Sequence, residues 1–391
     1  MSVAIDVDAG FLNGIRKIAD EFAAVNADDV DRKARFPVEA LDALRADGAL
    51  SALIPTELGG GGISFEAVAA ACFELGRRCG SSAMVYAMHQ IQIACMTRHL
   101  ADAPWFEAYL RDVARDQRLI ASVTSEVGTG GDLGRSNAAV TPSRDGNATF
   151  EKQAPTVSYG LYADDLFTTL RRTPDAEPGD QVIVLTHKDQ MTLEQTGTWD
   201  PLGMRGTSSP GFVVRAEFST DQVLPTPFPI VAGESMVPVS HLLWSHLWLG
   251  IATDAFDRAR AFVRASAKQR PDQVPPTAQR LSHLMSELSL LRAEVNSALR
   301  DFTEASATPD RERLSTMASI LRFNNLKIAA SEQAPRVCQG AMAIGGIVGY
   351  KNDTPFSVGR HLRDTMSAPL MIANERIHER NALLLLIAKD V

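Results

Sequence analysis

The feature that most constrains this chain is a change of periodicity that occurs twice. Up to about residue 118 the apolar residues recur at helical spacing: Phe11, Ile15, Ile18 and Phe22 fall on one stripe of an amphipathic helix. Pro37 opens a second helix at its first turn, with Leu41, Leu44 and Leu50 following before the break at Pro55. The run Leu58-Gly59-Gly60-Gly61-Gly62 reads as a loop, Ser64 with Glu66 starts the next helix, and apolar helical stretches cover 67–77 and 83–100. Between about 119 and 230 short β-rich runs take over, at 119–124, 182–186 and 212–216, separated by clusters of Gly, Pro, Asp and Ser at 143–147 and 174–179. No helical stretch separates them, as a parallel α/β sheet would require, so the spacing predicts antiparallel sheet closed into a barrel or sandwich.

After Pro227-Phe228-Pro229 the long helices return. Trp244, Trp248, Ile251, Ala255, Ala259 and Phe262 mark a helix over 240–268, which the proline-rich connection 270–276 ends. Three further helices are expected over 277–305, over 310–344, and from the 360s to Ala388. Four long helices with short connections read as an antiparallel bundle. The expected architecture is α+β and multidomain: an N-terminal α-helical domain (1–118), a central antiparallel β-barrel (119–230) and a C-terminal four-helix bundle (231–391).

Charge and cysteines narrow the function classes. Forty-seven acids against 39 bases leave a net charge of −8, which argues against coating nucleic acid or an anionic membrane. The apolar runs 242–252 and 382–388 fall short of the about 20 residues that a membrane helix needs. The first ten residues carry Asp6 and Asp8 and no basic segment, so no secretory signal is expected and the reading is cytoplasmic. Cys72, Cys79, Cys95 and Cys338 show neither Cys-x-x-Cys nor a zinc spacing, so they are expected as buried thiols, with no metal site.

The glycine clusters match neither common nucleotide loop. None is followed by Lys-Ser/Thr, and Gly128 to Gly134 misses the Gly-x-Gly-x-x-Gly spacing. Instead, Ser122 to Asp132 joins a strand to a loop whose hydroxyls and backbone N–H groups suit a polar planar ligand. Here the chain resembles the acyl-CoA dehydrogenase family of flavoproteins, whose middle-domain signature is Thr-Glu-x-Gly-x-Gly-Ser-Asp. The resemblance extends over nearly the whole chain. Phe36-Pro37 with Leu44, Gly48 and Ile54-Pro55…Gly59-Gly60 resembles the family's first helices. Lys152 to Asp164 is similar to its second flavin-facing strand, and Leu202 to Ser209 to its Met-Gly-x-Arg segment. Gly345-Gly346, Gly349-Tyr350 and Arg363-Asp364 are similar to motifs of the last helices.

The resemblance implies an oxidoreductase that binds FAD and removes hydrogen from the α,β-bond of an acyl thioester, carried by CoA or an acyl carrier protein. It further implies hydride transfer to flavin N5, a homotetramer or homodimer, and electron-transfer flavoprotein or another electron acceptor as partner. By match, Thr124 and Ser125 would contact the pyrimidine side of the flavin, Gly130 and Gly131 would approach it and the phosphate arm, and Thr156 would lie near N5. Gly345 and Gly346 would admit a neighbouring subunit's FAD, and Arg270 or Lys268 would reach a phosphate. Met88, His89 and Trp244 would bear on pocket depth.

The departures concern catalysis. The family's usual base is a Glu some nine residues beyond the Arg-Asp pair, where this chain has Ile372. The family's other position for it, near the start of the first bundle helix, holds Val239-Ser240-His241-Leu242, without an acid. Glu375, one helical turn beyond Ile372, is the candidate base, with His241, His246 or His361 as alternatives. The remaining reading is a flavin-dependent monooxygenase of the same fold, using reduced flavin and O2.

Overall fold

The computed structural model describes residues 2–269, 271–307 and 311–388. Helix α1 (Ser2–Ile18) passes through a π-helical turn, Ala19–Ala23, into α2 (Ala24–Lys33). The wider turn rotates the buried stripe. Ile15, Ile18, Ala19 and Ala23 are buried, whereas Phe22, expected on that stripe, is exposed. Helix α3 (Val38–Ala46) follows Pro37. Helix α4 (Phe65–Gly76) is capped by Ser64, whose Oγ accepts a hydrogen bond from the Ala67 N–H at 3.1 Å. Helix α5 (Gly80–Thr97) is buried around nearly its whole circumference, and α6 (Pro104–Asp116) completes this part.

The strands are β1 (Ile120–Val123), β2 (Thr141–Pro142), β3 (Asn147–Ala154), β4 (Asp165–Arg171), β5 (Gln181–His187), β6 (Met191–Gln195) and β7 (Phe212–Ser219). They form two sheets, β1-β4-β5 and β2-β3-β7-β6. This corrects the expectation of an antiparallel barrel. The first sheet is mixed, because β1 runs parallel to β4, pairing Ile120 with Asp165. Sequence spacing cannot show this, since the chain returns to β1 through β2 and β3, which belong to the other sheet. His89 anchors β1 to the helices: its Nδ1 accepts from the Ile120 N–H (3.1 Å) and its Nε2 faces the Leu50 carbonyl (2.7 Å). Expected to bear on pocket depth, His89 instead has both ring nitrogens engaged in the scaffold.

The remaining helices are α7 (Phe228–Val231), α8 (Val237–Gln269), α9 (Thr277–Ser306), α10 (Met317–Tyr350), α11 (Gly359–Thr365) and α12 (Asn374–Ile387). Helix α8 packs against α4, α5, α9 and α10 and is the axis of the molecule. The expected single last helix is two, α11 and α12. Between them the chain passes Pro369, which supplies no N–H, and Ile372, whose φ of 46° is incompatible with a right-handed helix. The four cysteines are buried free thiols. No helix is long and apolar enough to cross a membrane, and no metal-binding cluster occurs, among the described residues.

Candidate functional site

The loop after β1 is fixed from below by Glu126. Its carboxylate accepts from Ser136 Oγ (2.6 Å) and from the N–H groups of Asn137 (3.1 Å) and Ala138 (2.6 Å), and it lies 3.6 Å from Lys152 Nζ. Lys152, on β3, is fully buried and donates to the Thr169 carbonyl at 2.6 Å. Burial pushes its pKa down to about 8, opposed by Glu126. These contacts bring the two expected flavin segments together. Ser125 Oγ donates to the Thr156 carbonyl (2.6 Å), and the Val127 N–H donates to the Gln153 carbonyl (2.9 Å). Ser125 and Thr156 therefore lie side by side, with Thr124 next to Ser125 in the chain. Gly128, Gly130 and Gly131, with φ of 86°, 61° and 84°, carry the loop on in the left-handed region.

The Arg-Asp pair has a structural task. Asp364 Oδ1 accepts from the Met204 N–H at 2.7 Å, fastening the Met-Gly-x-Arg segment to α11. Burial raises the Asp364 pKa to about 6. Arg363 pairs with Asp31 on α2.

At the base position Ile372 presents its carbonyl to Lys327 Nζ at 3.0 Å, and the same ammonium donates to Asn374 Oδ1 at 2.6 Å. Lys327, buried on α10, has its pKa pushed down to about 8 by burial. Glu375 lies exposed in the first turn of α12. The three candidate histidines are buried and neutral. His241 Nδ1 faces the Phe323 carbonyl (3.1 Å), and burial followed by the Lys327 charge pushes its pKa down to about 3. His246 Nδ1 faces the Leu242 carbonyl (2.8 Å), with its pKa pushed down to about 4 by burial. His361 Nε2 donates to Asp254 at 2.7 Å, and burial brings its pKa to about 4. Because a carbonyl can only accept, His241 carries its proton on Nδ1 and its lone pair on Nε2, which is buried without a partner. Trp244 Nε1, one turn along α8, is also buried and unpartnered.

The described residues include five buried carboxylates, Asp31, Glu126, Asp165, Asp254 and Asp364. Each is committed: Asp31 to Arg363, Glu126 to the loop, Asp165 to Arg118, Tyr109 and His187, Asp254 to His361 and Arg258, and Asp364 to Met204.

Gly345 and Gly346 lie near the end of α10, where Gly346 (φ 55°) breaks the helix and nothing lies within 4 Å of a Cβ built on either. Arg270 lies outside the described residues. Sequence reading missed Lys152, Lys327 and Arg376, whose Nη2 would lie 2.8 Å from a Cβ built on Gly130. The only signal was a lysine or arginine in a mostly apolar or motif-bearing stretch, which does not reveal burial.

The first third of the chain, residues 9–117, matches the family model for the acyl-CoA dehydrogenase N-terminal domain. A probable acyl-CoA dehydrogenase, YngJ of Bacillus subtilis (strain 168), is 24% identical over 95% of this chain and 96% of its own length. The chain thus carries this family's N-terminal domain and is similar over nearly its whole length to an acyl-CoA dehydrogenase relative. A second relative, the probable FMNH2-dependent monooxygenase SfnC of Pseudomonas putida, is 25% identical over 93% of this chain and 92% of its own. Among solved structures, FMN-bound TdsC of Paenibacillus sp. A11-2 has the same fold, with a TM-score of 0.81, 22% identity and 96% of each chain covered. The relatives thus include both a dehydrogenase and a flavin-dependent monooxygenase. A flavin is compatible with this place: the Ser125 and Thr156 hydroxyls lie against each other at the head of the loop, and nothing lies within 4 Å of a Cβ built on its left-handed Gly131.

Proposed function

We propose that this flavoenzyme is a monooxygenase that takes reduced flavin and dioxygen to oxygenate a small organic substrate. The observation that carries this reading is the lack of an available base. Ile372 stands at the usual position, Ser240 and His241 at the other, and each buried carboxylate among the described residues already accepts a hydrogen bond or ion pair, Asp364 from the Met204 N–H. Removal of an acyl α-proton needs a base of suitable pKa at the reacting carbon. His241, pushed down to about 3, is too weak, and its neutral ring serves instead as a hydrogen-bond acceptor. SfnC and TdsC support the reading as relatives whose names state a monooxygenase and bound FMN.

The chemistry a reduced flavin supplies when bound is two electrons for dioxygen, one oxygen atom entering the substrate and the other leaving as water. The chain's own residues then position and shield. Thr124, Ser125 and Thr156 offer hydroxyls to the polar edge of the ring. Trp244 and Trp248, buried on α8, exclude water, and His241 Nε2 accepts a hydrogen bond from an N–H or O–H of the substrate. The alternative, dehydrogenation of an acyl thioester with FAD and Glu375 as base, needs Glu375 to leave its exposed place and enter the cleft. We also infer a homotetramer or homodimer, because Leu383, Leu385, Leu386 and Ile387 are exposed together on α12. Light scattering that gives a monomer mass would remove that inference.

Two measurements separate the reactions. Protein loaded with oxidised FMN or FAD and mixed anaerobically with butyryl-, isobutyryl- and octanoyl-CoA is expected to keep its colour. Photoreduced FMN mixed with the protein and oxygen is expected to regain its oxidised absorbance more slowly than free reduced FMN. Bleaching by any of the thioesters overturns the monooxygenase reading, and Glu375→Gln then tests the base.

A further inference from the structure

Between α4, α8 and α9 lies an open cavity of about 530 Å³, a size that takes a small organic molecule. Each helix gives it one stripe. Ala70, Phe73 and Arg77 come from α4, and Met285, Leu288 and Arg292 from α9, both at spacings of three and four. Leu249, Phe256 and Arg260 line it from α8. The cavity is separate from the glycine-rich loop after β1: Thr124, Ser125 and Thr156 are absent from its walls, as are His241 and Trp244.

The walls are apolar, and the cations stand against their rings. The Arg77 guanidinium lies 5.9 Å from the Phe73 ring centroid, and that of Arg260 lies 6.0 Å from the Phe256 centroid. Both reach the same acid: Arg77 Nη2 donates to Asp257 Oδ2 at 3.2 Å, and Arg260 Nη2 lies 2.9 Å from Asp257 Oδ1. Arg77 Nη1 also lies 3.5 Å from Glu74, yet its Nε is buried without an acceptor. Arg292 has no ion pair or hydrogen bond among the described residues. Three guanidinium groups thus line the cavity with two carboxylates, Asp257 and Glu66, and leave a positive excess. A guanidinium on a ring is weakly hydrated and keeps donors for a further acceptor, and the apolar walls favour a ligand that brings carbon surface with it.

We propose that this cavity is a second small-molecule site, which binds an amphipathic anion. An aromatic or alkyl body lies against Phe73, Leu249, Phe256 and Leu288, and a single carboxylate or sulfonate is held by Arg292 and Arg77. The site goes beyond the flavin reaction and needs no bound flavin.

The test is fluorescence titration of the full-length protein with anilinonaphthalenesulfonate and with its uncharged counterpart phenylnaphthylamine, each without and with excess FMN. The wild type is expected to bind the sulfonate more tightly than the uncharged dye, and octanoate is expected to displace it where octanol at the same concentration does not. Arg292 is exposed, so its replacement leaves the fold intact. Arg292→Glu is expected to weaken the sulfonate at least about fivefold and to leave the uncharged dye within about twofold. Ala70→Phe, which fills the cavity from α4, is expected to weaken both dyes. Unchanged sulfonate binding in Arg292→Glu, or an equal loss of both dyes, overturns the proposal. Displacement of the sulfonate by FMN overturns it too, because the dye would then occupy the flavin's place. Absence of saturable dye binding to the wild type also overturns it, and a dimer mass by light scattering would then give the groove to a second copy of the chain.

Discussion

Lys327 shows how a residue outside any recognisable motif sets the shape of the site. Its ammonium holds the Ile372 carbonyl and the Asn374 amide, and so fixes the left-handed turn that separates α11 from α12. Burial lowers its pKa from 10.5 to about 8. Between those values the unfolded chain keeps a proton that the native protein has shed, so this residue makes stability rise with pH across that window. The full effect is at most about 3 kcal/mol. We expect the difference in urea unfolding free energy between wild type and Lys327→Met to grow in favour of wild type between about pH 7.5 and pH 10. A constant difference would show that the buried ammonium does not titrate in this range. The sequence displayed Ile372 at the base position, and that reading needed only counting from Arg363-Asp364. It could not display Lys327 or Arg376 as parts of the site, because each meets its partner from a different helix.

At the scale of elements, the strands and long helices were legible and their partners were not. The β-rich runs at 119–124, 182–186 and 212–216 correspond to β1, β5 and β7. Their arrangement into two sheets depends on which edges meet, and a strand's own alternation is silent about that. The π turn after α1 is similar: the helix was readable from Phe11, Ile15 and Ile18, but the extra residue that turns Phe22 outward was not. A tight approach between elements is at Gly203, where an added Cβ would lie 2.0 Å from the Arg363 carbonyl oxygen. The loop before β7 can therefore dock on α11 only with glycine there. Gly203→Ala is expected to destabilise by more than about 2 kcal/mol and to weaken flavin binding, since the Met204–Asp364 bond must open. Calorimetry showing an unchanged melting temperature would mean that the loop shifts without cost.

For the whole molecule, the shared feature of the buried histidines is that they are kept neutral. His89, His241, His246 and His361 have pKa values pushed from 6.5 down to about 4, 3, 4 and 4, each mainly by burial. Below about pH 6.5 the unfolded chain takes up protons that the native state refuses, so stability is lost as pH falls through that window. The combined effect is several kcal/mol by about pH 5, enough to threaten a domain of ordinary stability. We expect circular dichroism to show cooperative acid unfolding with a midpoint above about pH 4.5; a folded protein at pH 4 would contradict this account.

The sequence by itself determined the order of helical and β-rich segments, the glycine-rich loop after β1, and the absence of a glutamate at position 372. These are local properties, written in spacing and residue type along a few turns of chain. The tertiary structure alone decided that β1 runs parallel to β4, that the buried carboxylates are all engaged, and that Arg376 lies over Gly130. Each of these depends on groups far apart in the chain, brought together when apolar surface around α5 and α8 leaves water.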